Sequence, residues 1–321
     1  MKLYDFISRF PNEEACKDHF VAVRQKRGVR CPKCGCMHCT YLPSRSKFEC
    51  RECGCRFSLR SGTVMYGSKL PYRYWLITIH LLTATKHTFS ALEIQKQLGH
   101  KRYQPIWEMV HKLRDAMGKR DAEYNLAGYV ELDEGFFTTE TPKDLKGKKL
   151  KQGSGSERKA KVMVMAESAP VENPKPNRKA KRVGHIKMFV IPDGRKETLT
   201  NVATTNIHHK AHVTMDAIST HGDIERRFDS HVEKLVSQEE IDRVLPWVHT
   251  TIANAKMLLV DTYHGIKEEY LQEYLNEFCY KFNRRYFGED LFDRVVDLCA
   301  TYNTGFKHHP YRKDVRVNRD I

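Results

Sequence analysis

Two cysteine pairs near the start of the chain constrain its fold more than any other feature. Cys31 and Cys34 form one CxxC pair, Cys50 and Cys53 form a second, and fifteen residues separate them. This spacing is typical of a four-cysteine zinc ribbon. Because so short and polar a segment cannot build an apolar core of its own, we expect the four thiolates to bind one structural Zn²⁺. Buried free thiols are the alternative.

Further potential ligands surround the two pairs. A tetrahedral site needs only four ligands, so we interpret the surplus candidates as bystanders: these are Cys36, His38, Cys39 and Cys55. Gly35 and Gly54, one after each pair, permit the positive φ that turns backbone N–H groups toward thiolates. Four thiolates leave no open position for water or substrate, which predicts a structural rather than a catalytic zinc.

Basic residues outnumber acidic ones. There are 55 Lys and Arg against 40 Asp and Glu, a formal charge of +15. Such a surface attracts polyanions, so nucleic acid is the leading partner, although a basic enzyme without a nucleic-acid partner can carry the same charge. The start MKLYDFISRF lacks the pattern of a signal peptide, and the sequence has no membrane-length apolar run. We therefore expect a cytoplasmic protein with no membrane partner.

Composition and periodicity indicate a multidomain α/β chain. We assign residues 1–27 to a helical lead-in, 28–66 to the zinc ribbon, 70–122 to a helix-turn-helix-like unit, 126–288 to a mixed α/β domain, and 289–321 to a C-terminal helix and basic tail. Basic loop insertions at 140–160 and 169–183 are rich in Lys, Gly, Pro and Ser. The four strands expected in the α/β domain are GYVELDEGFF, KVMVMAES, HIKMFVIP and HVTMD.

The segment from Pro71 to Lys119 has three helical runs of apolar residues. Ser90 and Glu93 can form a capping box for the middle helix, and Gly99 can end it. The pattern is similar to a helix-turn-helix, whose second helix enters the major groove. The start of that helix would then face DNA with Lys101, Arg102, Tyr103 and Gln104. An ordinary helical linker is the alternative.

Two aspartates stand in strand patterns where aspartate is disfavoured. Asp133 lies within the first strand, and Asp216 ends the fourth. Aspartates on neighbouring strands can share divalent metal ions, which activate a water or a 3′-hydroxyl for phosphodiester transfer. Glu131 and Glu134 flank Asp133, and we interpret them as solvated strand-end charges.

A later helix, WVHTTIANAK, supplies further candidates. Asn254 is its prominent metal-ligand candidate, with Glu277 as a reserve acid. Lys256 lies about 200° round a regular helix from Asn254, which favours contact with a DNA phosphate. His249 shares a face with Lys256, and His264 follows beyond the helix; either can bind phosphate or act as an acid, and satisfied structural histidines are the alternative. We also predict DNA contacts by Arg284 and Arg285.

Together these motifs resemble the ISXO2-like insertion-sequence transposases, which are relatives of the Merlin elements. The resemblance rests on ELDE, TMD, His249-x4-Asn254-x-Lys256-x7-His264 and YLNEFCYKFNRR, together with the ribbon CPKCGC…FECRECGCRF. It implies a ribonuclease-H-like catalytic core whose Asp-Asp-Asn triad matches Asp133, Asp216 and Asn254. An amide as third ligand leaves the metal site less negative by one charge.

The resemblance also implies cofactors and partners. Mg²⁺ or Mn²⁺ would serve catalysis, and the DNA partners would be the terminal inverted repeats of the element and the target DNA. Joining two ends in one reaction implies a homodimer or larger assembly. The location would be the bacterial cytoplasm, with nucleoid association when the protein is bound to DNA. The alternative is a transposase-derived, zinc-dependent DNA-binding protein in which Asn254 marks lost catalysis.

Overall fold

The computed structural model describes residues 1–141, 147, 158–173, 181–216, 224, 228, 232–235, 245–263 and 265–306, with the backbone alone at 216 and 232–235. The chain divides into two compact units. Met1–Arg120 and the segment from Tyr286 onward form the first, and Asp121–Arg285 forms the second. No helix in the described residues has the length and apolar character needed to span a membrane.

The first unit begins with two helices and a small sheet. Helices α1 and α2 span Leu3–Arg9 and Glu13–Arg27. Strands β1, β2 and β3, at Cys39–Leu42, Lys47–Cys50 and Arg56–Ser58, form an antiparallel sheet in the order β1-β2-β3. The register pairs Cys39 with Cys50 and so places the two cysteine turns side by side.

Three helices follow the small sheet, as the periodicity predicted. Helices α3, α4 and α5 span Tyr72–Ala84, Ala91–Leu98 and Tyr103–Asp121. The predicted capping box at the start of α4 is confirmed, because Ser90 and Glu93 each accept the other's backbone N–H. The helix ends at Gly99, also as predicted.

A C-terminal helix completes the first unit. Helix α9, Leu291–Thr301, contacts α2 and α3, and the ring of Phe292 lies 5.9 Å from that of Phe6. Arg9 forms a 3.0 Å ion pair with Asp293. The sequence predicted this helix but not its partner, because an apolar stripe does not say which surface covers it.

The second unit is built on a mixed sheet. In the described residues its strands are β4 Tyr129–Thr138, β5 Lys159–Pro170, β6 Lys181–Ile191, β7 His212–Asp216 and β8 Val232–Leu235, in the order β6-β5-β4-β7-β8. The pairs β4–β5 and β5–β6 are antiparallel, whereas β4–β7 and β7–β8 are parallel. Strand β8 was not predicted. Strands β5 and β6 include residues at the ends of the two predicted basic loops, 140–160 and 169–183. Most of the other loop residues lie outside the described ones.

Helices cover both faces of this sheet. On one face α6, Lys196–Asn206, packs against a cluster that includes Leu132. On the other face α7, Pro246–Thr262, and α8, Glu268–Asn283, pack against a cluster that includes Phe137. The predicted mixed α/β class is therefore confirmed, and the face of β4 that carries Asp133 lies toward α7.

Candidate zinc centre and acidic strand

The predicted zinc ligands come together in the folded chain. The sulfur atoms of Cys31, Cys34, Cys50 and Cys53 all lie within 4.8 Å of one another. Cys31 Sγ is 3.6 Å from Cys53 Sγ, and Cys34 Sγ is 3.5 Å from Cys50 Sγ. A tetrahedral Zn²⁺ with bonds of about 2.3 Å requires sulfur separations of about 3.8 Å. The four-cysteine group therefore fits one structural zinc ion.

Both cysteine turns use the same backbone hydrogen bonds. In the first, Cys31 N–H donates to the Cys36 carbonyl at 2.8 Å and Gly35 N–H donates to the Cys31 carbonyl at 3.0 Å; the second repeats both bonds at the same offsets. The turns need φ of +74° at Gly35 and +65° at Gly54. Cys36 and Cys55 thus close the turns through their carbonyls, while their thiols remain outside the four-sulfur group.

The first cysteine of each turn is disposed to ionise. A hydrogen bond from the Cys53 backbone N–H lowers the pKa of the Cys50 thiol to about 6, against an opposing effect of desolvation. The Cys34 backbone N–H lowers the pKa of Cys31 in the same way. At Cys34 a backbone hydrogen bond from Cys36 is outweighed by contact with the other three thiols and by desolvation, which raise its pKa to about 12. The thiolate is the metal-binding form, so the turn hydrogen bonds favour it at the first cysteine of each turn.

A second group of possible ligands lies beside the first. Among the described residues, Cys36, His38 and Glu52 also come close enough to share an ion, with His38 Nδ1 3.6 Å from Glu52 Oε1. The side chains of His38 and Glu52 are 79% and 63% exposed. Because water competes for such ligands, we retain the interpretation of this group as bystanders.

Asp133 and Asp216 occupy neighbouring strands of the second unit. The parallel register pairs Leu132 of β4 with Met215 of β7. The next residue on each strand is an aspartate, so the backbone places Asp133 and Asp216 at the same level. Because the strands are adjacent, this is the backbone arrangement that the sequence analysis expected of a shared metal site.

Asp133 contacts a histidine from α7. His249 Nε2 lies 3.3 Å from Asp133 Oδ2, and Asp133 Oδ1 accepts the Glu134 backbone N–H at 2.7 Å. The Asp133 and His249 side chains are 20% and 33% exposed. The pair is thus a carboxylate and an imidazole in contact, partly open to solvent, with ligand chemistry suited to Mg²⁺ or Mn²⁺ at the carboxylate.

Helix α7 lies close against β4 beyond this pair. A Cβ at Gly135 would lie 3.4 Å from Ile252 Cγ1 and 3.1 Å from Phe137 Cε2, so glycine permits the close approach. Lys256 Nζ lies 5.7 Å from the centre of the Phe137 ring. The helix thus brings His249 and Lys256 to the same strand.

Asn254 is placed differently from the other α7 candidates. Its side chain is exposed, and a regular helix puts it about 140° round the axis from His249. Asn254 therefore lies on a different face of α7 from His249, the residue that contacts Asp133. His264 lies outside the described residues. Glu277, the reserve acid, is buried on α8, with Lys281 Nζ 3.8 Å from its carboxylate.

The burial of Glu131 was not predicted from the sequence. This side chain is only 1% exposed, and its Oε2 accepts the backbone N–H groups of Trp247 at 2.8 Å and Val248 at 2.9 Å. The interpretation of Glu131 as a solvated charge was therefore wrong: it is buried at the start of α7. Glu134, on the opposite face of β4, forms a 2.8 Å ion pair with Lys161.

The predicted DNA-facing residues at the start of α5 are accessible. Lys101, Arg102 and Tyr103 are exposed, and Gln104 is half-buried with its amide 3.3 Å from Glu108 Oε1. The two cationic side chains stand next to each other at the turn before the helix. Their position permits contact with a polyanion.

Arg284 and Arg285 have structural partners instead. Arg284 is buried, its Nη1 lies 2.6 Å from Asp121 Oδ1, and its guanidinium lies 3.7 Å from the Tyr280 ring centre. Arg285 donates to the Val183 carbonyl at 2.9 Å and so holds α8 to β6. Because these contacts occupy both guanidinium groups, we do not include either residue among the proposed DNA contacts.

Comparisons with known proteins cover both cysteine turns and the acidic strand. A family model described as a transposase zinc-ribbon domain matches residues 11–56, and one described as an ISXO2-like transposase domain matches residues 125–283. The chain is also 24% identical, over 210 residues, to an uncharacterized protein in transposable element ISH50 of Halobacterium salinarum. That similarity covers 60% of this chain and 68% of the relative.

Proposed function

The chain belongs to the ISXO2-like transposases, and from this premise we propose that it cuts the ends of an insertion sequence and joins them to target DNA. The observation that carries the proposal is the placement of Asp133 and Asp216 at one level of adjacent strands, inside the region that matches the transposase domain. A mixed sheet with helices on both faces supports the ribonuclease-H-like core that the family resemblance implies.

Asp133 and Asp216 are the proposed ligands of a divalent metal. When bound, Mg²⁺ or Mn²⁺ stabilises charge on the attacking and leaving oxygens of the phosphodiester. His249, in contact with Asp133, orients that carboxylate and can hold a proton beside the reacting phosphate. Lys256, exposed on the same side of α7, can neutralise a DNA phosphate.

The first unit is the proposed DNA-recognition part. The zinc ribbon holds its two cysteine turns together, and Lys101 and Arg102 present cations at the start of α5. In a helix-turn-helix this is the end that contacts base edges in the major groove. We propose that the unit binds the terminal inverted repeats, and that two or more copies act together because two ends must be joined.

A cleavage assay tests this function. Purified full-length protein is incubated with linear DNA that carries the terminal repeats of the element, with Mg²⁺ or Mn²⁺. We expect nicks at the repeat ends that depend on the metal and disappear with Asp133→Ala and with Asp216→Ala. Binding of the repeats without cleavage by the wild-type protein would contradict the enzymatic proposal.

A transposase-derived DNA-binding protein without catalysis is the second candidate. The observation that favours it is the exposed position of Asn254, an amide where an acid is the commoner ligand. As the proposed third ligand, Asn254 must turn toward Asp133 when the metal site forms. Loss of cleavage in Asn254→Ala, with DNA binding unchanged, would support the triad; undiminished cleavage would remove Asn254 from it.

A further inference from the structure

We propose that Glu131 is a positioning residue for the acidic site: its buried carboxylate holds the first turn of α7 so that His249 meets Asp133. This inference rests on the proposed function for its effect on cleavage, although the contact itself does not. The Glu131 side chain is only 1% exposed, so DNA has no access to its carboxylate. Its role is to act through α7.

Glu131 supplies what the start of α7 lacks. The first N–H groups of a helix have no partner within it, and a side chain of the preceding residue commonly accepts one. Here the preceding residue is Leu245, which has no acceptor in its side chain, and Pro246 follows at the first helical position. The acceptor for Trp247 and Val248 comes instead from β4, 116 residues earlier than Trp247.

The contact sets where α7 lies along β4. Val248 N–H is bonded to Glu131 Oε2 at 2.9 Å, and the next helix residue, His249, lies 3.3 Å from Asp133 Oδ2. Glu131 and Asp133 are two apart on the strand and so face the same side. Two consecutive helix residues thus contact two consecutive same-face residues of the strand. Loss of the first contact frees the helix to slide or rotate away from the second.

Apolar packing cannot provide this alignment alone. Val248 and Ile252 bury α7 against the sheet, but apolar contact is not directional. Two charge-assisted hydrogen bonds fix distance and direction. The positive end of the helix stabilises the buried carboxylate, and Lys181 Nζ lies 3.8 Å from its Oε1. Oε2 alone accepts both N–H groups of the helix.

The test compares two substitutions at Glu131. Glu131→Gln keeps the length of the side chain and one acceptor, whereas Glu131→Asp keeps the charge but is too short to reach the helix. If geometry is what matters, Gln retains more of the single-turnover cleavage rate than Asp. We expect a loss of about tenfold or more for Asp at saturating DNA. A rate for Asp equal to or above that for Gln would overturn the proposal, because charge would then be the cause.

Glu13 offers a matched control in the other unit. Its carboxylate accepts the backbone N–H groups of Tyr72 at 2.7 Å and Arg73 at 2.8 Å at the start of α3. Glu13→Gln and Glu13→Asp therefore disturb a helix start in the same way, but in the unit that does not contain Asp133. Because Glu13 lies in the unit proposed to bind DNA, the control is measured at saturating DNA, where we expect single-turnover cleavage rates within about twofold of wild type after correction for the folded fraction.

Amide hydrogen exchange separates this inference from the proposed function. Faster exchange of the Trp247 and Val248 amides in Glu131→Asp than in Glu131→Gln is expected whether or not the protein cuts DNA. Unchanged exchange overturns the inference even if cleavage is found. Faster exchange with a wild-type cleavage rate in both variants also overturns it, and leaves the proposed function standing. If wild type does not cut DNA, the proposed function fails and exchange alone decides whether Glu131 holds α7.

Discussion

His249 Nε2 lies 3.3 Å from Asp133 Oδ2, so a helix residue and a strand residue far apart in the chain share one contact. The contact joins β4, which carries the proposed metal ligand Asp133, to α7, which carries His249, Asn254 and Lys256. A histidine in this position can orient the carboxylate and can take a proton from the attacking water or give one to the leaving oxygen of a nearby phosphodiester. Its removal therefore has a defined expected effect.

We expect His249→Gln to lower the rate of DNA cleavage by about 10²-fold, the lower range for loss of a proton-transferring group, and to leave DNA affinity unchanged. The measurement is single-turnover cleavage with binding followed separately. His208→Gln, at an exposed histidine of the same unit, is the control and should cut at the normal rate. Normal cleavage by His249→Gln would show the contact to be structural.

Loss of zinc is expected to unfold the ribbon and abolish binding of the terminal repeats, while Asp121–Arg285 stays folded. Metal analysis of the full-length protein should find one zinc per chain, absent in Cys50→Ser and retained in the control Cys55→Ser. A second zinc ion that is lost with His38→Ala would instead show that the group of Cys36, His38 and Glu52 binds metal. Repeat binding that survives chelation would contradict the recognition role of the ribbon.

Substitution of Lys101 or Arg102 by Gln is expected to weaken DNA binding. If the side chain contacts a phosphate, the slope of log affinity against log salt should fall by about 1 for each substitution. Lys119→Gln removes the same charge at the far end of α5, where Lys119 pairs with Asp115 at 3.1 Å, and should leave the slope unchanged. If Lys101→Gln and Arg102→Gln have the same slope as the control Lys119→Gln, the result would argue against DNA contact at the start of α5.

Arg284→Met is expected to reduce stability rather than DNA affinity. The change leaves Asp121 without its buried 2.6 Å partner, which costs about 3–5 kcal/mol. Chemical denaturation of the full-length protein measures the loss in the free energy of unfolding of the second unit. Adding Asp121→Leu to Arg284→Met should recover most of that loss. If Arg284→Met has normal stability but binds DNA more weakly, the original prediction that Arg284 contacts DNA would be supported.

Local patterns predicted much of the fold. Cysteine spacing predicted which four thiols come together, and periodicity predicted β4 to β7 and the helices of the second unit to within a few residues. Strand β8 was missed because four residues carry too little periodicity to be distinguished from a loop. The partner of α9 was missed because its apolar stripe fits any complementary surface.

The side-chain contacts of the site were harder to predict from the sequence, because they join residues that only the tertiary fold brings together. Alternation along β4 correctly put Glu131 and Asp133 on one face, but it could not reveal that a helix covers that face and buries Glu131. Leu245 followed by Pro246, a helix start without a local cap, was the available signal that a distant acceptor was needed. Arg284 looked like a surface cation for the same reason: its partner Asp121 lies 163 residues away.

The central claim is that Asp133 and Asp216 bind one divalent metal centre across β4 and β7, and a metal-specificity switch tests it most directly. A thiolate is a softer ligand than a carboxylate and accepts Mn²⁺ more readily than Mg²⁺. We predict that Asp133→Cys binds the terminal repeats normally, fails to cut them in Mg²⁺ and regains cleavage in Mn²⁺. Cleavage at the wild-type rate in Mg²⁺ would contradict the claim.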